Sequence, residues 1–132
     1  MIHHVVPLTE WRTGEDRPYA PASLAEEGFV HCSPDEATTL AVVNAFYRRA
    51  PRPLLALAID ERRLTAPLEW AAPDPVPPPG APAGTLFPHV HGPIERAAVV
   101  AVREVVFDAE GRATGLRDTP PGKVGCPLVP GA

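Results

Sequence analysis

Short apolar stretches separated by turn residues run along this chain, and their lengths predict strands more often than helices. Residues 2–6 form a β-branched run that predicts a first strand, and the continuously apolar residues 54–59 are typical of a central strand buried on both faces. Residues 94–107 end in a valine-rich run that favours another strand. The turn chemistry of residues 108–111 predicts that residues 112–116 pair back with that strand as a hairpin.

Helical signals are concentrated in one main helix. Ser33 is the expected N-cap, Pro34 suits the first helical position, and Glu36 completes a capping box. The helix should extend to about Arg49, where prolines follow. Its expected apolar face consists of Leu40, Val43 and Tyr47, with Ala37 and Phe46 beside them.

Two shorter strands complete the predicted fold. One is expected at residues 29–32, directly after a helical turn at residues 23–27 that Gly28 closes, and the other at residues 68–70. Together the elements predict an α+β fold of mostly antiparallel strands with one main helix. The proline-rich residues 73–84 do not fit regular structure and form a candidate flap over a site.

Length and composition place these elements in one domain. The chain has 132 residues, of which 1–118 are expected to form a single domain and 119–132, rich in proline and glycine, a disordered tail. The net charge is −4 and no run of lysine or arginine occurs, which argues against a nucleic acid as partner. We expect no signal peptide, because Met1 leads directly into a short apolar strand without a basic flank. We expect no membrane partner, because no apolar run is long enough to span a bilayer. Two cysteines, Cys32 and Cys126, do not make a disulfide framework, so a cytoplasmic location is expected.

All five histidines lie in three short segments, namely residues 2–6, 27–36 and 87–93. The middle segment delivers a histidine, a cysteine and a serine to a strand-to-helix junction, which is unusual for a purely structural stretch. We therefore expect the three segments to line one site. Alternation along the first strand places His3 and His4 on opposite faces, so that one of them points inward.

Two kinds of chemistry fit these residue types weakly. His89 and His91 share one face of an extended segment, which is a known spacing for metal ligands. His4 or His31 would add a third ligand and Cys32 a thiolate, but no closed ligand set is visible, so no metal is predicted. Cys32 beside His31 also suggests a nucleophile, although a small buried hydrophobe is the favoured interpretation of this cysteine.

Binding of an anionic ligand is the third possibility. Ser33 and the free N–H groups at the helix start form an anion site, while a plain N-cap role for Ser33 is at least as compatible with the pattern. In this interpretation His31 and His4 donate hydrogen bonds to a phosphate, ribose or amide. Trp11 and Tyr19 can stack on a flat ring, and each of them also suits the core or its rim.

Several motifs of the chain resemble the signature of the domain-of-unknown-function 952 family. They are Tyr19 followed by Ser23-Leu24, the segment of residues 27–33, and the segment of residues 87–94. The leading Ile2-x-His4 strand, Trp11, Leu57-x-Ile59-Asp60, Glu69 and Ala98-Val99 are also similar to that family. The resemblance covers roughly residues 2–106.

This resemblance implies an ADP-ribosyltransferase-like fold, in which two small antiparallel sheets pack together and hold NAD in the cleft between them. Such proteins place a His or Arg on the first strand, a Ser, Tyr or His on the second, and often a Glu on a third. His4 matches the first position, and His31 or Ser33 matches the second. The third falls near residues 87–93, which carry histidines and no acid, and His91 stands where the family usually has a tyrosine.

The resemblance therefore implies NAD as the bound nucleotide and transfer or hydrolysis at its nicotinamide–ribose bond. The catalytic residues that it implies are His4, His31, Ser33 and His89. The ligand-binding residues that it implies are Trp11, Tyr19, Ser23, Phe29, Cys32, Phe87, Pro88, His91 and Gly92. The missing acid favours an alternative, a non-catalytic module that binds a small nucleotide-like ligand or a protein partner. A histidine-based, metal-dependent hydrolase is a further alternative.

Overall fold

The computed structural model describes residues 1–73 and 78–119, which form two antiparallel sheets and a few helices. The strands are β1 (Ile2–Pro7), β2 (Val30–His31), β3 (Leu54–Ile59), β4 (Leu68–Ala71), β5 (Phe87–Val90), β6 (Val99–Phe107) and β7 (Ala113–Asp118). The α-helices are α1 (Leu8–Arg12), α2 (Ala22–Glu27) and α3 (Glu36–Phe46), and 3-10 turns occur at Glu61–Arg63 and Arg96–Ala98. The predicted α+β class is confirmed.

The larger sheet has four strands in the order β1-β3-β6-β7. Strand β3 lies between two partners and all six of its residues are buried, as its unbroken apolar sequence predicts. Strands β6 and β7 form the predicted hairpin, whose turn is held by hydrogen bonds from the backbone N–H groups of Glu110 and Arg112 to the Asp108 carboxylate. The smaller sheet has three strands in the order β2-β5-β4.

The two sheets pack face to face through the larger of two apolar cores. Residues from both sheets and from the loop between them meet there, among them Ile2, Val6, Trp11, Tyr19, Val30, Leu57, Val90, Ile94 and Val99. The second core lies on the opposite face of the four-stranded sheet, under α3, and includes Val5, Val43, Leu54, Ala56 and Val105. Because side chains alternate along β1, His4 points toward the core between the sheets and His3 toward the helix side, as predicted.

The start of the main helix differs from the prediction. The N-cap is Asp35, whose carboxylate accepts a hydrogen bond from the Thr38 backbone N–H at 2.7 Å. This bond lowers the pKa of Asp35. The prediction of Ser33 as the N-cap is wrong. The Ser33 backbone N–H donates to the His3 carbonyl oxygen at 2.7 Å, and the His3 backbone N–H donates to the Ser33 carbonyl oxygen at 2.9 Å. The Ser33 peptide therefore extends the edge of β1, and the helix begins three residues later, at Glu36.

The far end and the apolar face of the helix also differ. Helix α3 ends at Phe46 and does not reach Arg49. Val43 is buried as predicted, but Ala37 is exposed and the Phe46 side chain is 71% exposed. Thr38 and Thr39, which are polar, are buried in their place.

The loop between β4 and β5 runs back to α3. A Cβ atom at Gly80 would come within 3.5 Å of the Ala41 side chain, so this part of the loop lies beside the helix. Residues 74–77, in the predicted flap, and residues 120–132, in the predicted tail, lie outside the described residues. The last described residue, Thr119, donates a hydrogen bond from its hydroxyl to the Val102 carbonyl at 2.8 Å. Within the described ranges, no helix combines the length and the apolar character needed to cross a bilayer.

Candidate functional site

A row of polar side chains crosses the outer face of the three-stranded sheet, the face turned away from the four-stranded sheet. His31 on β2 pairs with His89 on β5, and His89 pairs with Glu69 on β4. The neighbouring row, Val30 with Val90 and Leu68, faces the core between the sheets. Because side chains alternate along each strand, the row of His31 and His89 points to the opposite side, toward solvent.

Phe29 forms the centre of this surface. Its ring stacks on the ring of His89, with centroids 4.0 Å apart and planes inclined by 16°. The rings of His31 and His91 lie 4.6 and 5.7 Å from the Phe29 ring in tilted orientations. Three imidazoles therefore surround one phenyl ring, and we call Phe29, His31, His89 and His91, with Glu27 and Glu69, the imidazole platform.

Two carboxylates fix two of the three imidazoles. Nε2 of His31 lies 2.9 Å from the Glu27 carboxylate, and Nε2 of His91 lies 2.9 Å from the Glu69 carboxylate. Glu27 reaches His31 because the chain reverses at Gly28, which closes α2 in the left-handed conformation at φ 87°. Each carboxylate orients its imidazole and sets which ring nitrogen carries the proton, as in catalytic and metal-binding histidines.

His89 has a different environment from its two neighbours. In the described part of the chain, no hydrogen bond reaches either of its ring nitrogens. Partial burial and then the nearby His31 lower the pKa of His89, while the Glu69 carboxylate acts in the opposite direction. The imidazole of His89 is therefore neutral at pH 7, and it can accept a proton or a hydrogen bond from a ligand.

His4 lies inside the molecule and is fully engaged there. Its Nδ1 lies 2.6 Å from the backbone carbonyl oxygen of His31, and its Nε2 lies 2.8 Å from the Tyr19 hydroxyl. Burial lowers the pKa of His4 to about 4, so its ring is neutral at pH 7. His4 therefore contacts the backbone of the middle histidine segment, and its side chain does not share a surface with His31.

Several other predicted site residues are also structural. Trp11 is wholly buried, and no partner in the described chain reaches its indole Nε1. Ser23 donates its hydroxyl hydrogen to the Phe29 carbonyl oxygen at 3.1 Å. Cys32 is buried, and burial raises the pKa of its thiol, which keeps it protonated. Ser33 is buried as well.

The segment around β5 divides in the same way. Phe87 and Pro88 are buried, whereas His89 is half-buried and His91 is exposed. Gly92 packs tightly against the segment that precedes β4, because a Cβ atom at Gly92 would come within 2.7 Å of the Ala66 side chain. Its role is therefore close packing between two turns.

The structure thus brings together four of the predicted site residues, Phe29, His31, His89 and His91, and it does not bring His4, Ser33 and His89 into one cleft. Sequence reasoning missed Glu27, because its contact with His31 depends on the reversal of the chain at Gly28, which strand alternation does not describe. Assignment of Glu69 to the site required knowledge of the register of β4 against β5. Within the described residues, no three His, Cys, Asp or Glu side chains are arranged to hold a metal ion.

The molecule is thus an α+β domain of two stacked antiparallel sheets that presents a histidine-rich surface on the smaller one. The family model described as "Protein of unknown function (DUF952)" matches residues 5–102, so the chain belongs to this family.

Two solved structures share the fold. The X-ray crystal structure of protein CC0527 from Caulobacter crescentus is similar with a TM-score of 0.67 and 23% sequence identity, covering 86% of this chain and 92% of that chain. A double mutant of the same protein is similar with a TM-score of 0.66 and 22% identity over the same shares. A search of curated proteins finds no match. The ADP-ribosyltransferase-like relationship remains a prediction.

Proposed function

We propose that this domain binds the nicotinamide end of NAD, or a similar nucleotide with a planar cationic ring, on the imidazole platform. The observation that carries the proposal is the stack of His89 on Phe29, at 4.0 Å and 16°, with two further imidazoles around it. Flat rings bind to such surfaces because aromatic faces stack with little loss of side-chain entropy. NAD is the nucleotide that the predicted ADP-ribosyltransferase-like relationship implies.

The charge of the platform favours a cationic ring. Glu27 and Glu69 are half or more exposed, and each stands beside an imidazole at the edge of the platform. The nicotinamide ring of NAD⁺ carries a positive charge, and aromatic faces and carboxylates both attract a cation. His89 is neutral at pH 7, so it does not repel that charge. A neutral base such as adenine would be stabilised on the platform by stacking alone, without the attraction between opposite charges.

Hydrogen bonding can fix the orientation of the ring. His31 and His91 each use Nε2 for a carboxylate, which leaves Nδ1 for a ligand. Both ring nitrogens of His89 are available as well. The carboxamide of nicotinamide has a donor and an acceptor, so it can bond to two of these nitrogens at once.

Isothermal titration with NAD⁺ tests the proposal on the wild-type chain and on two matched variants. Phe29→Leu removes the stacking ring, and we expect it to weaken binding about fivefold or more. Phe46→Leu removes an exposed phenyl ring on α3, away from the platform, and should leave the affinity unchanged. No heat of binding to the folded wild-type chain, or equal affinity of the two variants, would contradict the proposal.

A second candidate function, cleavage of the nicotinamide–ribose bond, is favoured by the neutral His89 next to carboxylate-held imidazoles. In hydrolysis, a water oxygen forms a bond to C1′ of the ribose while nicotinamide leaves with the electron pair of the glycosidic bond. His89 would take the proton from that water, and Glu27 or Glu69 would stabilise the positive charge at C1′. The platform would then supply the acid that residues 87–93 lack.

Release of free nicotinamide from NAD⁺ tests this chemistry directly. His89→Gln should abolish release while keeping the fold, and His3→Gln, which changes a histidine on the helix side of β1, should retain it. Binding of NAD⁺ without release, even at high protein concentration, would reject the cleavage and leave the binding function in place.

A further inference from the structure

A cleft of about 540 Å³ lies where the loop of residues 13–21 meets the segment after β5, on a part of the molecule that the imidazole platform does not use. Glu10, Thr13, Arg17, Tyr19, Pro93 and Arg96 are among its lining residues. This volume is within the range of small-molecule sites in proteins. We call it the Arg96 cleft.

Arg96 is held rigidly in the wall of the cleft. Its Nε donates to the Arg17 carbonyl oxygen at 2.9 Å and its Nη1 to the Trp11 carbonyl oxygen at 2.5 Å. Its Nη2 donates to the carbonyl oxygens of Thr13 and Gly14 at 3.0 and 3.2 Å. The guanidinium also lies over the Trp11 ring, 4.3 Å from its centroid. The side chain is therefore already ordered, and a ligand that binds it loses little further entropy.

The positive charge of Arg96 is not neutralised by contact. All four of its hydrogen bonds go to neutral carbonyl groups, and none of the ion pairs among the described residues includes it. Burial lowers the pKa of Arg96, and the carboxylates of Glu15 and Asp16 act on it only from a distance. One of the five guanidinium N–H groups, on Nη1, remains for another acceptor. Binding of an anion beside a partly buried cation that lacks a counter-ion is favourable.

A second guanidinium stands at the same cleft. Arg17 packs beside Gly14, where a Cβ atom would come within 2.9 Å of Arg17 Nη2. Its ion pair with Asp16 is long, at 3.8 Å, and both side chains are highly exposed, so the pair is weak. The Arg17 side chain can therefore leave Asp16 and turn toward a bound anion with little loss of free energy.

We propose that the Arg96 cleft is a binding site for one small anionic group, a phosphate or a carboxylate on an organic molecule. Arg96 supplies the fixed charge and Arg17 closes onto the anion from the loop. Glu10 also lines the cleft and limits the site to a single anionic group, because a second one would lie near a carboxylate. The chemistry of the group is common to phosphate monoesters and simple carboxylates, and the two arms of the test distinguish them.

Titration of the ¹⁵N-labelled chain with inorganic phosphate, and separately with acetate, tests the site at constant ionic strength. We expect saturable shifts of the Gly14, Arg17 and Tyr19 amide signals with at least one of the two anions. Arg17→Gln should weaken the binding about tenfold. Arg112→Gln makes the same charge change on an exposed side chain of the β6-β7 turn and should have no effect.

Glu10→Gln gives a second, independent outcome, because removal of the carboxylate should tighten anion binding. Shifts that do not saturate, or an equal loss in the Arg17 and Arg112 variants, would overturn the proposal in favour of general charge screening. A weaker affinity in Glu10→Gln would overturn it as well. The titration contains no NAD, so its failure and a failure of the platform to bind NAD⁺ are separate results.

Discussion

Nε2 of His4 lies 2.8 Å from the hydroxyl oxygen of Tyr19, inside the core between the two sheets. The other ring nitrogen, Nδ1, lies 2.6 Å from the carbonyl oxygen of His31, and a carbonyl can only accept a hydrogen bond. Nδ1 therefore carries the ring proton, and the Tyr19 hydroxyl donates to Nε2. The neutral His4 ring thus connects β1, the loop before α2, and β2, and it links the two sheets through polar contacts.

Tyr19→Phe should destabilise the fold, because it leaves a buried nitrogen of His4 without a donor. A cost of about 1–3 kcal/mol in the free energy of unfolding is expected for an unsatisfied buried acceptor. Urea denaturation monitored by circular dichroism measures it. Tyr47→Phe is the matched control, since no hydrogen bond within the described chain uses the Tyr47 hydroxyl, and it should cost much less. Equal costs would show that the His4–Tyr19 bond contributes no stability.

Acid should weaken the fold through His4. The pKa of His4 is lowered from its ordinary value of 6.5 to about 4 by burial, so between these values the unfolded chain binds more protons than the folded chain. The stabilisation is therefore complete above pH 6.5, falls as the pH is lowered, and levels off near pH 4. The loss attributable to His4 is of the order of 3 kcal/mol.

Urea denaturation at several pH values across this window checks the prediction. The lowered pKa values of His3 and His89 add pH dependence of the same sign. His4→Gln should be less stable than the wild type at neutral pH and should lose the part of the pH dependence that His4 contributes. His3→Gln should retain it, because His4 is unchanged in that variant. A wild-type stability that is constant from about pH 7 to about pH 4.5 would contradict the account of His4.

Much of the fold could be predicted from the sequence because its strongest signals are local. The unbroken apolar run of residues 54–59 and the turn at residues 108–111 identified the central strand and the hairpin. The prediction of the helix start was wrong because Ser33 and Asp35 are both good N-cap residues, and only the backbone pairing of Ser33 with His3 decides between them. That pairing is a long-range contact, which no local pattern contains.

The site was harder to predict than the fold, since it depends on which face each strand buries. His4 and His31 were expected to face one cleft, but His31 alternates with the buried Val30 and so points outward. The same alternation, applied to all three histidine segments, would have separated His4 from the outer face. Glu69 could not be assigned to the site, because the pairing of β4 with β5 is set by tertiary packing.

The neighbours of His89 should shift its pKa in opposite directions. His31 lowers the pKa of His89 and Glu69 raises it. His31→Gln should therefore raise the pKa of His89, and Glu69→Gln should lower it further. Titration of the His89 ring signals by ¹H–¹³C NMR measures both shifts, with His3→Gln as a variant that should change nothing. Shifts of the same sign in the His31 and Glu69 variants would refute the arrangement of the platform.

Gly92→Ala should destabilise the turn that follows β5. The added methyl group would come within 2.7 Å of the Ala66 side chain, which requires the two segments to separate. A cost of about 1–3 kcal/mol is expected for overpacking of this kind. Gly115→Ala on β7 is the matched control, since no atom lies within 4 Å of its added Cβ position and its cost should be near zero. Thermal unfolding of both variants checks the difference.

The central claim is that the imidazole platform selects a cationic planar ring, and a comparison of NAD⁺ with NADH tests it most directly. The two molecules differ in the charge and flatness of the nicotinamide ring and share the rest of the nucleotide. We predict that NAD⁺ shifts the ¹H–¹³C ring signals of His31, His89 and His91 in a saturable way, and that NADH does so several-fold more weakly. Equal binding of the two, or shifts confined to residues away from these three histidines, would contradict the claim.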